Sequence, residues 1–419
     1  MSGAGTATSV IASATESVAA PCPTGPAPVL PAGFTAATAS AAIKKPGRQD
    51  MALLRCPAGA TLAALYTTNQ VCAAPVQLSR RRLRESRGHC AALLVNSGCA
   101  NAATGERGMA AAIELTDAVA RACDVAPEAV QSNSTGVIGV QLPLERMLAQ
   151  LPSMAAAASA GTVEPFTRAI MTTDTYPKWS VRTVEHGGSR CTVVGCAKGA
   201  GMIHPNMATM IAVMLTDAPL TPAELDGHLR SAVECSFHRI SIDGDTSTND
   251  SVFALASGAA HAPEGGFPAD AMRAAFKDVA RELALMIVRD GEGYERGIHV
   301  RVTGAPSDAD ALTVAKTVAS SLLVRCAVTG GDPNWGRILA AAGRSGVRLD
   351  VDDVTLSVGG VALFTRGGPA DTPLAAREAA FRAPMVEVDL AVGTGPGADE
   401  FISCGLTKAY VELNADYTT

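Results

Sequence analysis

The chain has 419 residues, of which 47% are hydrophobic, 18% charged and only 4% aromatic, and its formal net charge is -6. That is length enough for two domains and apolar content enough for a substantial core, built from Ala, Val, Leu, Ile and Met packed closely around many glycines. The well-mixed, net negative charge excludes a nucleic-acid partner, which needs a clustered basic face, and no run approaches the roughly 18 apolar residues of a membrane span, so no membrane partner is expected.

Residues 1–30 carry no Lys or Arg and no continuous apolar stretch. They lack the marks of a signal or transit peptide and read as a flexible tail. "MALLRCPAG" followed by "TLAALYTTNQVCAAPVQL" predicts strand, turn, strand. The one basic run, "SRRRLRESR" (Ser79 to Arg87), predicts a solvated loop or helix face. "CAALLVNSG" predicts a buried strand ending at Gly98, followed by "ANAATGERGMAAAIELTDAVARACDV", a helix that starts near the TGE stretch at Thr104. "GTVEPFTRAIMTTDTYPKWSVRTVEHGGSRCTVVGCAKG" reads as helix, strand, hairpin, strand. "MIAVMLTDA" is a buried strand, and "TPAELDGHLRSAVECSF" a helix with Thr221 as its N-cap. "AMRAAFKDVARELALMIVRDGEG" is a long amphipathic helix that ends before Gly291 and Gly293. "IHVRVTGA" and "ADALTVAKTVASSLLVRCAVTG" continue the pattern. The fold class is mixed α/β, with helices packed on sheets; the pattern leaves strand order open.

Eleven scattered cysteines without a CxxC pair fit reduced thiols in a cytoplasmic enzyme. Several tempting motifs fail. "DGDTSTND" (Asp243 to Asp250) begins like a calcium loop but has Thr248 where the tight-turn glycine belongs and Ala254 in place of the bidentate acid. "GTGPGADE" is not a dinucleotide fingerprint, no P-loop, HExxH or GxSxG occurs, and His186, His204 and His238 lack metal-ligand spacing. No metal site is expected.

What remains is a set of eight short stretches dense in Thr, Asn, Asp and Gly at the ends of apolar segments, where sites are usually built. They include "SNSTGVIG", "IMTTDTYPK", "AKGAGMIHPNMATM", "RISIDGDTSTND", "VRDGEG", "GGDPNWGRI" and "LNADYTT". One of them sets Ala208 and Thr209 between a glycine-rich turn and a buried strand. A threonine there is ordinarily a structural strand start.

In these stretches, above all KGxGMIxPxxATM (Lys198 to Met210) and DPNWGRI, the chain resembles the ornithine acetyltransferases, or glutamate N-acetyltransferases, of arginine biosynthesis, from about Pro31 to Thr419. The resemblance implies the self-processing N-terminal-nucleophile architecture of the ArgJ and DmpA proteins. The precursor would cut itself between Ala208 and Thr209, giving an α chain of 31–208 behind its tail and a β chain of 209–419, assembled as an α2β2 heterotetramer. Thr209 would then be the nucleophile, with Thr135 and Gly136 as oxyanion donors and Thr172, Lys198, Thr209, Glu292, Asn414 and Thr419 as substrate contacts. The small-molecule substrates would be N-acetylornithine and glutamate. No cofactor is implied, although family members differ in whether they also take acetyl-CoA as a co-substrate.

The chemistry is coherent. A threonine hydroxyl needs a base, and the α-amino group of a terminal Thr titrates at about 7.7–8.0. Lys198 could hold a carboxylate or depress that amine, Glu292 could hold a cationic amine, and Asn414 and Thr419 can donate and accept. The chain departs from the family pattern at Tyr294, Glu295 and Arg296 after DGEG, at Gly405, and at Cys99. The alternative reading is an aminopeptidase or amidase of the same self-cleaving architecture, or a paralogue in another pathway.

Overall fold

The computed structural model describes residues 25–204 and 210–416. Its centre is an eight-stranded sheet made of β1 (Thr35–Ala39), β2 (Met51–Tyr66), β3 (His89–Cys99), β4 (Val130–Val137), β5 (Lys178–His186), β6 (Ser189–Lys198), β7 (Ile211–Thr216) and β8 (Ser251–Ala256). The spatial order is β4-β3-β2-β8-β7-β6-β5, with β1 added on β2. The pairs β3/β4 and β7/β8 are parallel and the others antiparallel. β7 reads IAVMLT and is buried throughout because both faces of the sheet are covered. Met214 belongs to the core under the helices α6 (Pro222–Glu234) and α7 (Ala269–Arg289). Val213 and Leu215 belong to the opposite core, which includes Phe166 of α5 (Glu164–Ile170).

The helices follow the expected pattern. Thr221 caps α6 with a full capping box, its hydroxyl accepting from Glu224 N. α7 buries Met272, Phe276, Val279, Leu283 and Ile287 at helical spacing. α2 (Gly105–Cys123) packs beside α1 (Ala74–Glu85), and the short α3 (Leu144–Leu148) and α4 (Leu151–Ala157) pack on α2.

A second sheet of six strands has the order β12-β11-β10-β13-β9-β14. It comprises β9 (Gly297–Ala305), β10 (Thr355–Val358), β11 (Val361–Thr365), β12 (Gly368–Pro369), β13 (Met385–Ala391) and β14 (Gly397–Cys404). Its apolar face packs on α8 (Asp308–Ala319), α9 (Leu322–Gly330), α10 (Trp335–Gly343) and α11 (Leu374–Phe381) in a core of its own. The last helix, α12 (Lys408–Asp416), runs back toward the large sheet. Among the described residues no single helix is long and apolar enough to cross a membrane, and no group of three His, Cys, Asp or Glu could hold a metal ion.

Two sequence expectations need correction. The strand, turn, strand read from Met51 to Leu78 is one strand with a bulge: pairing with β3 shifts register between Arg55 and Ala60, around exposed Pro57. Its "APVQL" end opens α1, with Pro75 in the first turn where a missing N–H is harmless. The stretch Ala309–Gly330, which continues the mixed pattern, holds most of α8 and all of α9, bent by 57° to each other. The basic run lies on α1 and is not wholly solvated, because Arg82 is buried and pairs with Asp117 at 2.6 Å.

Candidate active site

Seven segments of the chain converge on a cavity of about 260 Å³. Its lining includes Thr135 and Gly136 from β4, Thr172 from the turn after α5, Lys198 from the end of β6, Glu292 from the turn after α7, and Asn414 from α12. These are all of the expected site residues that fall within the described chain. Ala208, Thr209 and Thr419 lie outside the described residues.

The β4 contribution follows from backbone geometry. Gly136 has φ +130°, and a Cβ there would lie 2.3 Å from the backbone carbon of Gly98. Only glycine fits, so β3 and β4 close tightly and carry Thr135, 4% exposed, to the cavity wall. Lys198 Nζ donates to Thr135 Oγ1 at 3.2 Å, and Lys198 is 2% exposed. Burial pulls the Lys198 pKa down, and Asp174 works against that pull.

Opposite, Asn414 Nδ2 donates to Glu292 Oε2 at 2.9 Å, and Glu292 N is tied to Ala200 O at 2.7 Å. A side chain at Gly201 would meet the Glu292 carboxylate at 2.6 Å, so glycine here leaves room for that group. The cavity thus offers a hydroxyl and an ammonium on one side and a carboxylate with an amide on the other. That set suits a zwitterionic amino acid with a reacting carbonyl.

The chain on either side of 205–209 is anchored by buried carboxylates. Asp243 accepts from Met202 N and from Ile203 N, the latter at 2.9 Å. Met202 has φ +56°, a conformation that costs a non-glycine residue roughly 1–2 kcal/mol. On the far side Met210 N donates to Asp250 Oδ1 at 2.9 Å. Burial raises Asp243 to about 6 and Asp250 well above the ordinary carboxylate range. His204, beside Ser241 at 3.0 Å, is lowered to about 4 by burial.

Sequence reasoning singled out the stretches holding Asp174, Lys178, Asp243, Asn249, Asp250 and Asp290, yet gave these residues no role. Lys178 is fully buried between Asp174, at 2.7 Å, and Asp290, at 2.5 Å. Asn249 Nδ2 donates to Ala100 O at 2.7 Å and Ser134 O at 2.8 Å, joining the β8 entry to β4. The available signal was a run of small polar residues flanked by apolar strands. It cannot say which of them bury, since that depends on which strands become neighbours.

The departures from the family pattern are absent from the cavity lining. Tyr294 Oη donates to Pro384 O at 3.3 Å and Arg296 to Thr329 O at 2.6 Å. The space a side chain at Gly405 would need is taken by Thr329 Oγ1, and Cys99 is buried against Val140 O at 3.2 Å.

Fold and cavity together define a mixed α/β protein with a polar cavity of about 260 Å³ walled by segments of its large sheet and its last described helix. The model of the ArgJ family matches residues 35–419. The chain is 44% identical over 391 residues to the arginine biosynthesis bifunctional protein ArgJ of Nitratidesulfovibrio vulgaris, covering 92% of this chain and 98% of that one. It is 45% identical over 397 residues to the protein of the same name from Geobacter sulfurreducens, covering 92% and 99%. Among solved structures it is similar to ornithine acetyltransferase complexed with ornithine from Mycobacterium tuberculosis, with 37% identity, a TM-score of 0.37, and coverage of 42% of this chain and 92% of that one. The chain belongs to the ArgJ family.

Proposed function

We propose that the protein moves the acetyl group of N2-acetylornithine to glutamate, through an acetyl-enzyme on Thr209, in arginine biosynthesis. The observation that carries this reading is the meeting of Thr135, Gly136, Thr172, Lys198, Glu292 and Asn414 in one cavity, although they are scattered over 280 positions of sequence between Thr135 and Asn414.

The reaction begins with processing. The Thr209 hydroxyl attacks the Ala208 carbonyl, the acyl group shifts from nitrogen to oxygen and so frees the Thr209 amine, and water hydrolyses the ester to release the Ala208 carboxylate and restore the hydroxyl. That amine then serves as the base for its own hydroxyl. The hydroxyl attacks the acetyl carbonyl of acetylornithine. Thr135 Oγ–H and Gly136 N–H receive the developing oxyanion, and ornithine leaves with the proton. Glutamate enters the same site and its amine takes the acetyl group. Glu292 is placed to hold the cationic end of ornithine, and Lys198 to meet a carboxylate. Acetyl-CoA would be an alternative donor to the same threonine.

Cutting between 208 and 209 would leave the fragments joined, because β7 pairs with β6 and β8 with β2 inside one sheet. An α2β2 assembly belongs to the same proposal, as does cytoplasmic location. The purified protein is expected as fragments 1–208 and 209–419, with Thr209→Ala remaining whole and inactive. Intact mass spectrometry showing only the uncut chain after long incubation would refute it. An acceptor panel separates transfer to glutamate from the hydrolysis an amidase would give.

A further inference from the structure

Two lysines are buried beside the cavity, Lys178 at 0% and Lys198 at 2% exposed. Lys178 is paired with both Asp290, at 2.5 Å, and Asp174, at 2.7 Å. Asp174 pairs directly with Lys178, but Asp290 alone balances the charge of Lys178, so the two carboxylates together balance the two lysines. A buried ammonium without a counter-charge sheds its proton. The charged groups that face Lys198 are Asp174, Lys178 on β5, Asp250 before β8 and Glu292 after α7. Of these Asp174 acts on it most strongly. The same carboxylate is a brace: it accepts from Gly199 N at 2.6 Å through Oδ1 and from Thr172 N at 3.0 Å through Oδ2.

The charge on Lys198 decides where the Thr135 proton points. An ammonium has three N–H donors and no acceptor. In the 3.2 Å contact Thr135 Oγ1 must therefore accept, and its own proton is free for the cavity. A neutral amine has a lone pair that can take that proton and turn it away.

We propose that Asp174 is the positioning residue of the oxyanion donor: it keeps Lys198 an ammonium, fixes it through Gly199 to the Thr172 turn, and thereby aims the Thr135 O–H at the reacting carbonyl. The inference rests on the acyl-transfer reading above. Asp174 itself touches no substrate and acts through Lys198.

Two double-mutant cycles on the full chain test it, with Asp174→Asn, Lys198→Met and the double variant. In thermal unfolding at neutral pH, Asp174→Asn lowers the midpoint in both backgrounds, since its pair with Lys178 is lost in each, and lowers it further in the wild-type background than beside Lys198→Met. The part of the gap that depends on Lys198 fades as pH rises through the lowered folded value of wild-type Lys198, above which that amine is neutral in both proteins. In turnover of acetylornithine and glutamate, Asp174→Asn loses roughly 10–100-fold in kcat, and its activity falls off at lower alkaline pH than wild type. The double variant loses no more than Lys198→Met alone, and Asp174→Glu recovers part of the loss. Equal thermal penalties in both backgrounds, or turnover losses that multiply, overturn the proposal. If Asp174→Asn does not fold, the double variant against Lys198→Met decides: equal kcat supports it and a lower kcat overturns it. A wild-type protein that moves no acetyl group, yet shows the thermal coupling, sinks the transfer reading and leaves the charge pairing standing.

Discussion

Strands β4 and β13 are both ordered members of large sheets, and they are made of opposite materials. β13 reads MVEVDLA: Val386, Val388 and Leu390 are buried, while Glu387 and Asp389 turn outward to Arg301 at 2.6 Å each. This is the period-two alternation of a strand with one face on a core. β4 reads VQSNSTGV, and Gln131, Ser132, Asn133, Ser134 and Thr135 are all buried. Burying polar groups is costly unless each finds a partner. Ser134 Oγ donates to Asn96 Oδ1 at 2.7 Å, and Asn133 Nδ2 to Asn249 O at 2.9 Å. A chain that accepts this cost in one region and avoids it in the other marks where its chemistry is placed.

The comparison breaks most readily at the apolar strand. Leu390→Ala should cost about 2–5 kcal/mol of stability through lost burial and a residual cavity, measured by denaturant unfolding. The kcat of the folded fraction should not change, since Leu390 lies in the core of the second sheet. A fall in kcat would mean that the second sheet is coupled to the site. Thr135→Ala should do the reverse. Steady-state kinetics should show kcat lower by about 10²–10³, a loss of roughly 3–4 kcal/mol in transition-state stabilisation, with processing and folding intact. An unchanged kcat would remove Thr135 from the oxyanion role.

Asn249→Ala tests the polar brace between the two halves of the site. It strips donors from the carbonyls of Ala100 and Ser134. The expected cost is about 1–3 kcal/mol per group left unsatisfied, read in the unfolding midpoint together with a lower kcat. A loss of stability with kcat untouched would make the brace structural alone.

The smallest effect is expected far from the cavity, at His299. It sits between Glu400 at 2.7 Å and Glu387 at 3.0 Å. Burial opposes Glu400, but His299 and Arg281 hold it down at about 2. A carboxylate depressed in the folded state adds stability above its unfolded value of about 4.3, and that contribution fades as pH falls toward 2. His299, raised by both carboxylates against burial, adds stability below about 6.5 and loses it as pH climbs through its raised value. Glu400→Gln should therefore lower the thermal midpoint near pH 5–6 and much less at pH 2–3. A pH-independent difference would show that the pair is not what Glu400 contributes.

The same two strands show how far the sequence could be read. β13 was not singled out, but strands and helices with a clear period were. α6 with its Thr221 cap and α7 with its stripe ending at Arg289 stand where patterning puts them. "APVQL" was misread because five residues do not separate a helix entry from a strand end; the preceding loop, tied by Asn69 Nδ2 to Thr246 O at 2.7 Å, settles it. In the site, Thr135, Lys198 and Glu292 are named by the family resemblance alone, and the fold brings them to one cavity. Asp174, Asn249 and Asp290 were not named, because their roles come from neighbours more than 20 positions away, such as Gly199 for Asp174 and Ser134 for Asn249. A short polar run looks the same whether it lies in water or between two strands.

The central claim is that this cavity works through Thr209. Incubation of the purified protein with acetylornithine alone, followed by peptide mass mapping, tests it most directly. The account predicts a fragment beginning at Thr209 that carries one acetyl group, a matching release of ornithine, and loss of that acetyl group to glutamate when glutamate is added. An uncut chain, or an acetyl group on any residue other than Thr209, would contradict it.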